Sequence, residues 1–170
     1  AITKLEGGGM HLSTTLELVD DIVEEALRHV NPAVREHELK VVSCDEPALV
    51  NVDARLMVQL VVNLVNNAIT YTPAGSHIVI SIAAEDGRVR CSVADDGPGI
   101  APEDRERIFE SFYTVNHGLA DSRRSVGLGL SLCRSIALAH GGSIEVAAAD
   151  PHGSVFTIEL PAADVSFDKE

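Results

Sequence analysis

Residues 54 to 71, "ARLMVQLVVNLVNNAITY", constrain this chain more than any other stretch. With helical spacing of about 100° per residue, Gln59, Asn63, Asn66, Asn67 and Thr70 fall on one stripe about 100° wide. The rest of the surface is Leu56, Met57, Val58, Leu60, Val61, Val62, Leu64, Val65, Ala68 and Ile69, apolar over most of the circumference. Such a helix has to lie against a sheet, and the remaining segments have to supply one. The stripe itself is unusual. Solvent-facing stripes are mostly Lys, Glu and Arg, whereas this one is almost all neutral amide, and Asn is a mediocre helix former because its side chain competes for nearby backbone groups. Amide carbonyls ligate hard cations and amide N–H groups donate to phosphate oxygens, so the stripe reads either as a ligand site or as an ordinary solvated face.

The flanking segments fit a sheet with helices. Ser13 can cap a helix over 14–30, where Leu16, Val19, Ile22, Val23, Ala26 and Leu27 recur at helical spacing. Two short strands come next, "ELKVVS" and "ALVNV". After the amide helix, "HIVISIAAEDGRVRCSVADDGPGI" alternates apolar and polar residues on both sides of "EDGR", a β-hairpin running into a glycine-rich loop. Residues 104–112 suit a short helix, 113–126 show no period and read as a loop, and "GLGLSLCRSIALAHGG" opens a helix that stops at Gly141. A second hairpin, "SIEVAAADPHGSVFTIELP", closes the pattern. Hairpins mixed with helices, without strict βαβ alternation, imply an α+β two-layer sandwich: a mixed, mostly antiparallel sheet with helices on one face. The boundaries expected are 1–11 for a linker or the end of an upstream element, 12–161 for one domain and 162–170 for an acidic tail. Because the chain begins "AITKLEGGG", without Met, it reads as a piece of a longer protein.

Charge and cysteines narrow the function. The 170 residues carry a net charge of -13, which repels nucleic acid and anionic membrane surfaces, so a polyanionic ligand would have to bring its own cation. Cys44, Cys91 and Cys133 are odd in number and widely spaced, which suggests neither a disulfide framework nor a CxxC metal site and points to a reducing compartment; the localisation expected is cytoplasmic. No apolar run approaches the ~18 residues of a spanning helix.

Two glycine loops decide between the readings of the stripe. "VADDGPGI" ends a strand on Asp95 and turns through Gly97, Pro98 and Gly99; a carboxylate there can accept from an exocyclic amine, while a plain Asp-Gly turn is the alternative. "VGLGLSLC" puts Gly127 and Gly129 at the start of a helix, where free N–H groups and the helix dipole favour phosphate. The spacing is neither a Rossmann nor a P-loop fingerprint. An amide helix for a magnesium ion, a strand-end acid for adenine and a glycine-headed helix for phosphates together make a nucleotide site.

"NLVNNAITYTP", "DDGPGI", "IFESFY" and "GLGLSLC", in that order, resemble the N, G1, F and G2 boxes of sensor histidine kinases, which share the Bergerat ATP-binding fold with gyrase B and MutL. The resemblance covers about residues 12–161. It implies ATP and Mg2+ as ligands, with Asn67 as the magnesium-binding asparagine and Asn63 a second polar contact one turn earlier. It further implies Tyr71 packing near adenine, Asp95 receiving the adenine amino group, and Gly97, Gly99 and Ile100 forming the first glycine box. Gly127, Leu128, Gly129 and Leu130 would meet the phosphates, Phe109 and Phe112 would anchor the lid, and Arg124 with Arg123 would supply lid charge. The catalytic pair implied is Asn67 and Asn63. "ITKLEGG" resembles the end of the dimerisation and phosphoacceptor hairpin, and "ADSRRSVGLGLSLCRSIALAHGG" looks most like the Kdp-type potassium-responsive kinases.

Such kinases move the γ-phosphoryl of ATP to a histidine on that hairpin and then to an aspartate of a response regulator receiver domain. The partners implied are therefore the hairpin and the regulator, with this piece monomeric, the longer protein homodimeric and membrane-tethered elsewhere, and no nucleic acid or membrane contact here. Three positions depart from the family pattern. Thr70 stands where a Lys is usual, Thr114 where Arg is frequent, and Asn66 where some fold relatives have a catalytic acid. "HELK" at His37 superficially resembles a phosphoacceptor motif, but it runs into a strand without the expected Pro, so no acceptor is expected here. The alternatives are a degenerate nucleotide-binding module acting through protein contacts, or another ATPase of this fold.

Overall fold

The computed structural model describes residues 11–110 and 128–164. The first strand, β1, is Thr15–Leu18, and helix α1, Val19–Leu27, continues directly from it. This corrects the helix expected over 14–30. Thr15, Leu16, Glu17 and Leu18 also alternate with period 2, and that short register pairs antiparallel with β3, Leu49–Val52. Pairing with an existing strand satisfies backbone groups that a frayed first helical turn would leave open. Leu18 takes the N-cap position of α1 with no side-chain cap, and the Ser13 N–H donates instead to the Asp53 carboxylate at 3.0 Å.

Strand β2, Glu38–Val42, joins a five-stranded sheet with β4, His77–Glu85, β5, Arg88–Asp95, β6, Ser143–Ala148 and β7, Ser154–Pro161. Its order is β2-β4-β5-β7-β6; β2 and β4 run parallel and every other pair is antiparallel. The β4–β5 hairpin turns at Asp86 and Gly87, both at positive φ (54° and 75°), as a tight two-residue turn matched to strand twist requires.

One sheet face is buried. Ile78, Ile80 and Ile82 of β4, Val89, Cys91 and Val93 of β5, and Phe156, Ile158 and Leu160 of β7 all point to it. The helices cover that face: α2, Ala54–Thr70, lies over β5, and α3, Leu128–Ala139, lies over β6 and β7. Met57, Leu60, Val61, Leu64, Val65, Ala68 and Ile69 of α2 are buried, and the amide stripe is turned away from the sheet, as its pattern predicts. Asp53 caps α2, its Oδ1 accepting from the Leu56 N–H at 3.4 Å. The Ser13 N–H and these helix donors hold its carboxyl below the usual range against the opposing pull of burial.

The helix expected over 104–112 is instead two single 3₁₀ turns, Pro102–Asp104 and Arg107–Phe109, among the described residues. Pro102 starts a turn readily, but the segment has no apolar stripe long enough to continue as an α-helix. Phe109 belongs to the core, edge-to-face with Phe156 (6.2 Å, 80°) and beneath the Arg134 guanidinium at 5.1 Å. Phe112, the 113–126 loop with Arg123 and Arg124, and Gly127 lie outside the described residues.

Candidate functional site

Helix α2 ends where strand β5 ends, and the sequence-predicted residues meet there. The peptide after Asp95 runs so close to the last turn of α2 that a Cβ on Gly97 would stand 2.8 Å from Thr72 Cγ2 and 3.3 Å from the Tyr71 carbonyl oxygen. Gly97 is thus fixed by contact rather than by φ. Gly99 is fixed by both, with φ at +83° and the Gly153 carbonyl oxygen 3.1 Å from where a Cβ would be. Ile100 is partly buried against the core. Tyr71 takes the C-cap of α2 and is 42% exposed, which leaves its ring accessible to a ligand.

Asp95 is partly buried, and its Oδ1 accepts from the Gly97 N–H at 2.9 Å and the Ser154 N–H at 3.4 Å. Burial pushes its carboxyl above the usual range; the two N–H groups pull the other way without cancelling that effect. Oδ2 accepts no hydrogen bond among the described residues. Next door, Asp96 takes the His77 N–H on one oxygen and the His77 imidazole on the other, both at 2.8 Å, and so pins the loop to the start of β4.

The amide stripe divides on inspection. Asn66 is committed to the fold: its Oδ1 accepts from the Asn31 N–H at 2.7 Å. Asn63 lies in hydrogen-bonding reach of the Cys133 thiol, which burial pushes up to about 12 and so leaves unreactive. The Asn67 amide has no hydrogen-bond partner among the described residues. Cys133 also donates to the Leu60 carbonyl (3.8 Å), so α3, with Gly129 and Leu130 in its first turn, packs on α2 at the Asn63 end of the stripe through Cys133. Leu128 is the first residue of that helix. Among the described residues, a Cβ on Gly129 would meet nothing within 4 Å.

These features suit a nucleotide with a divalent cation. Among the described residues no three His, Cys, Asp or Glu side chains converge. A hard cation here would take the open Asn67 carbonyl oxygen and the oxygens of the ligand itself. Thr70 is exposed and brings no charge.

Residues 52–164 match the family described as histidine kinase-, DNA gyrase B-, and HSP90-like ATPase. The chain belongs to this family. It is 34% identical over 161 residues to the sensor protein KdpD of Clostridium acetobutylicum, spanning 95% of this chain and 18% of that protein. Over 163 residues it is 36% identical to the sensor-like histidine kinase SenX3 of Mycobacterium tuberculosis, spanning 95% of this chain and 40% of that one. Full-length ShkA in complex with AMPPNP superposes with a TM-score of 0.82 at 28% identity, covering 97% of this chain and 34% of ShkA. The histidine kinase ThkA in complex with the response regulator TrrA superposes with a TM-score of 0.76 at 28% identity, covering 95% and 46%. These likenesses agree with the two-layer architecture and with the ATPase family match.

Sequence reasoning missed residues that support the site from a distance. His152 Nδ1 lies 3.1 Å from the Gly97 carbonyl oxygen, and Gly153 (φ +113°) packs directly on the Asp95 peptide. Thr72 is buried behind Gly97. The signal was present only in part: "DPHG" reads as a turn, but its partner lies more than fifty residues upstream.

Gly129 offers a separation of roles. Replacing a helical glycine by alanine raises helix propensity, so Gly129→Ala should leave the empty protein as stable or firmer by up to about 1 kcal/mol. A methyl over the helix start would intrude on phosphates held by its N–H groups. ADP affinity should therefore fall at least about fivefold, a loss of roughly 1 kcal/mol. Denaturation without nucleotide and calorimetry with ADP read the two effects; unchanged affinity would remove α3 from the site.

Proposed function

We propose that this chain is the ATP-binding catalytic domain of a two-component sensor histidine kinase. In this reading it presents the γ-phosphoryl of ATP to a histidine on an upstream dimerisation hairpin, for relay to a response regulator aspartate. The observation that carries the reading is the juxtaposition at the end of α2. Asp95, a carboxylate with one oxygen held by the Gly97 and Ser154 N–H groups, ends β5 where its glycine loop packs on the last turn of α2, one turn beyond Asn67, whose amide has no partner among the described residues.

Each residue has a distinct task. Asp95 Oδ2 accepts from the exocyclic amine of adenine while Oδ1 stays bound to the Gly97 and Ser154 N–H groups, so the acid arrives already oriented. Gly99 and Ile100 continue the wall of the base pocket, and Tyr71 covers the ring. Asn67 holds the magnesium ion with Asn63 one turn behind it. Held there, a magnesium ion would supply positive charge that offsets the repulsion between ATP and a chain of net charge -13. Gly127, Leu128, Gly129 and Leu130 offer N–H groups to the phosphates, and Phe112 and Arg124 serve the lid, as the family resemblance implies. In the transfer an N–P bond to the incoming imidazole forms as the P–O bond to ADP breaks, so the domain's contribution is position and charge rather than covalent chemistry.

The finer reading is Kdp-type potassium or osmotic signalling. It is supported by the resemblance of residues 120–142 and by the likeness to KdpD, while the likeness to SenX3 is of similar strength. In this reading the domain works in the cytoplasm as a monomeric piece of a dimeric, membrane-tethered protein.

The test is titration of the chain with ADP, with and without magnesium, and then with ATP and a supplied acceptor hairpin. Magnesium-dependent micromolar binding and a labelled histidine are expected. Sound binding with no label on any hairpin offered would leave a nucleotide module that acts through protein contacts.

A further inference from the structure

We infer that His37 is a positioning residue for the adenine end of the site, acting through Thr72 on the Asp95–Gly97 loop. The inference rests on the nucleotide reading of that loop and extends it to a segment that no motif covers. His37 stands at the end of the turn Pro32–Glu36, just before β2, and its Nε2 lies 2.8 Å from Thr72 Oγ1. Thr72 donates its one hydroxyl proton to the Ala68 carbonyl at 2.8 Å, so its oxygen accepts from His37 in the Nε2–H tautomer; the longer approach of Nδ1 to the Ala33 carbonyl oxygen, 3.3 Å, competes for the same proton. Locked in this way, Thr72 turns Cγ2 toward Gly97, close enough that a Cβ there would be at 2.8 Å. The Gly97 N–H in turn orients Asp95 Oδ1. The path is short: imidazole, hydroxyl, methyl, peptide, carboxylate.

The turn that carries His37 is itself fastened to the amide helix and to residues 75 and 76 beyond it. Asn31 N–H donates to Asn66 Oδ1 at 2.7 Å, and the Asn31 side chain accepts from the Ala33 N–H at 2.9 Å. The Gly75 N–H donates to the Glu36 carbonyl at 2.7 Å, and the Glu38 N–H to the Ser76 carbonyl at 2.9 Å. Segment 31–38 therefore forms a strap across the end of α2, with His37 the side chain that reaches through it to the wall of the pocket. This gives a use to two features the nucleotide contacts leave over: the third asparagine of the stripe, and a histidine whose sequence context fails as a phosphoacceptor.

The experiment compares wild type, His37→Ala, His37→Gln and Thr72→Val by calorimetry with ADP and GDP, together with thermal midpoints. His37→Ala should weaken ADP binding about fivefold, the scale of one lost hydrogen bond. GDP binding should barely change, so base selectivity falls. His37→Gln, whose amide N–H can reach Thr72, should recover most of the selectivity. Thr72→Val keeps the methyl and should resemble His37→Ala, and the double variant should be no worse than either, as expected of residues acting in series. Equal losses for ADP and GDP, or unchanged ADP affinity in His37→Ala, would overturn the inference while leaving the nucleotide site standing. Wild type that binds no nucleotide would overturn the functional reading and this inference with it.

Discussion

Asp95→Asn should make the nucleotide-free protein more stable at pH 7 and remove its preference for ADP over GDP. The stability half comes from burial. Burial lifts the folded-state pKa of Asp95 above the unfolded value of about 3.9. A group shifted in that direction contributes its stability fully below the unfolded pKa and loses it as pH rises through the folded one. At neutral pH the ionised carboxylate is therefore a cost, and asparagine removes it. The Asn oxygen can still accept from the Gly97 and Ser154 N–H groups, so the loop keeps its frame. The binding half comes from donor and acceptor placement. In the proposed site Oδ2 faces the amine of adenine, and an amide nitrogen there would set donor against donor. Leaving two buried donors opposed costs roughly 3 kcal/mol, about a hundredfold in ADP affinity, while guanine, with a carbonyl at that position, loses little. Urea denaturation at pH 7 and pH 4 should show the stability gain shrinking at the acid pH. A variant less stable than wild type at pH 7 would contradict the burial cost, and equal losses for the two nucleotides would end the adenine assignment.

Patterns with a local cause were legible in the sequence. The amide helix, both hairpins, the glycine-headed α3 and its stop at Gly141 (φ +79°) each rest on periodicity or on a residue with a special backbone conformation, and each lies within a few residues of its predicted place. Thr15–Leu18 failed because four residues of alternation adjoin a genuine amphipathic helix, and the longer period absorbed the shorter. What decides that segment is β3, more than thirty residues away.

The stripe shows the same limit at finer grain. Composition marked five polar side chains as one surface, yet Asn66 is bound to Asn31 while the Asn67 amide has no partner among the described residues, and the first of these depends on where the 31–38 strap comes to rest. Asp95 was legible as an acid at a strand end. Its raised pKa was not, because the burial comes from neighbours distant in sequence.

Gly153→Ala should be among the most damaging single-methyl changes in the described residues, and the reason is contact rather than conformation alone. Gly153 has φ at +113°, and a Cβ there would lie 1.9 Å from the Asp95 carbonyl oxygen and 2.8 Å from both the Asp95 carbonyl carbon and Asp96 Cα. All three are backbone atoms on the strand end that carries the adenine acid, so no side chain can swing aside to make room. Relief requires parting Ser154 from Asp95, where β7 pairs with β5, or rotating the loop that holds the carboxylate. Gly87 supplies the control: its φ is +75°, yet an added Cβ meets nothing within 4 Å. Gly87→Ala should cost about 1 kcal/mol, the penalty of a left-handed residue. Gly153→Ala should cost about 3 to 4 kcal/mol, the range of backbone strain combined with overpacking. For a domain whose total stability is of order 5–15 kcal/mol, the second loss is a large share and the first is not. The same displacement should lower ADP affinity by more than about tenfold in whatever fraction stays folded, because Asp95 loses its Ser154 contact. Matched urea titrations of the two variants test the argument. Equal shifts would mean that the turn before β7 yields freely and that Asp95 is held by its own strand alone.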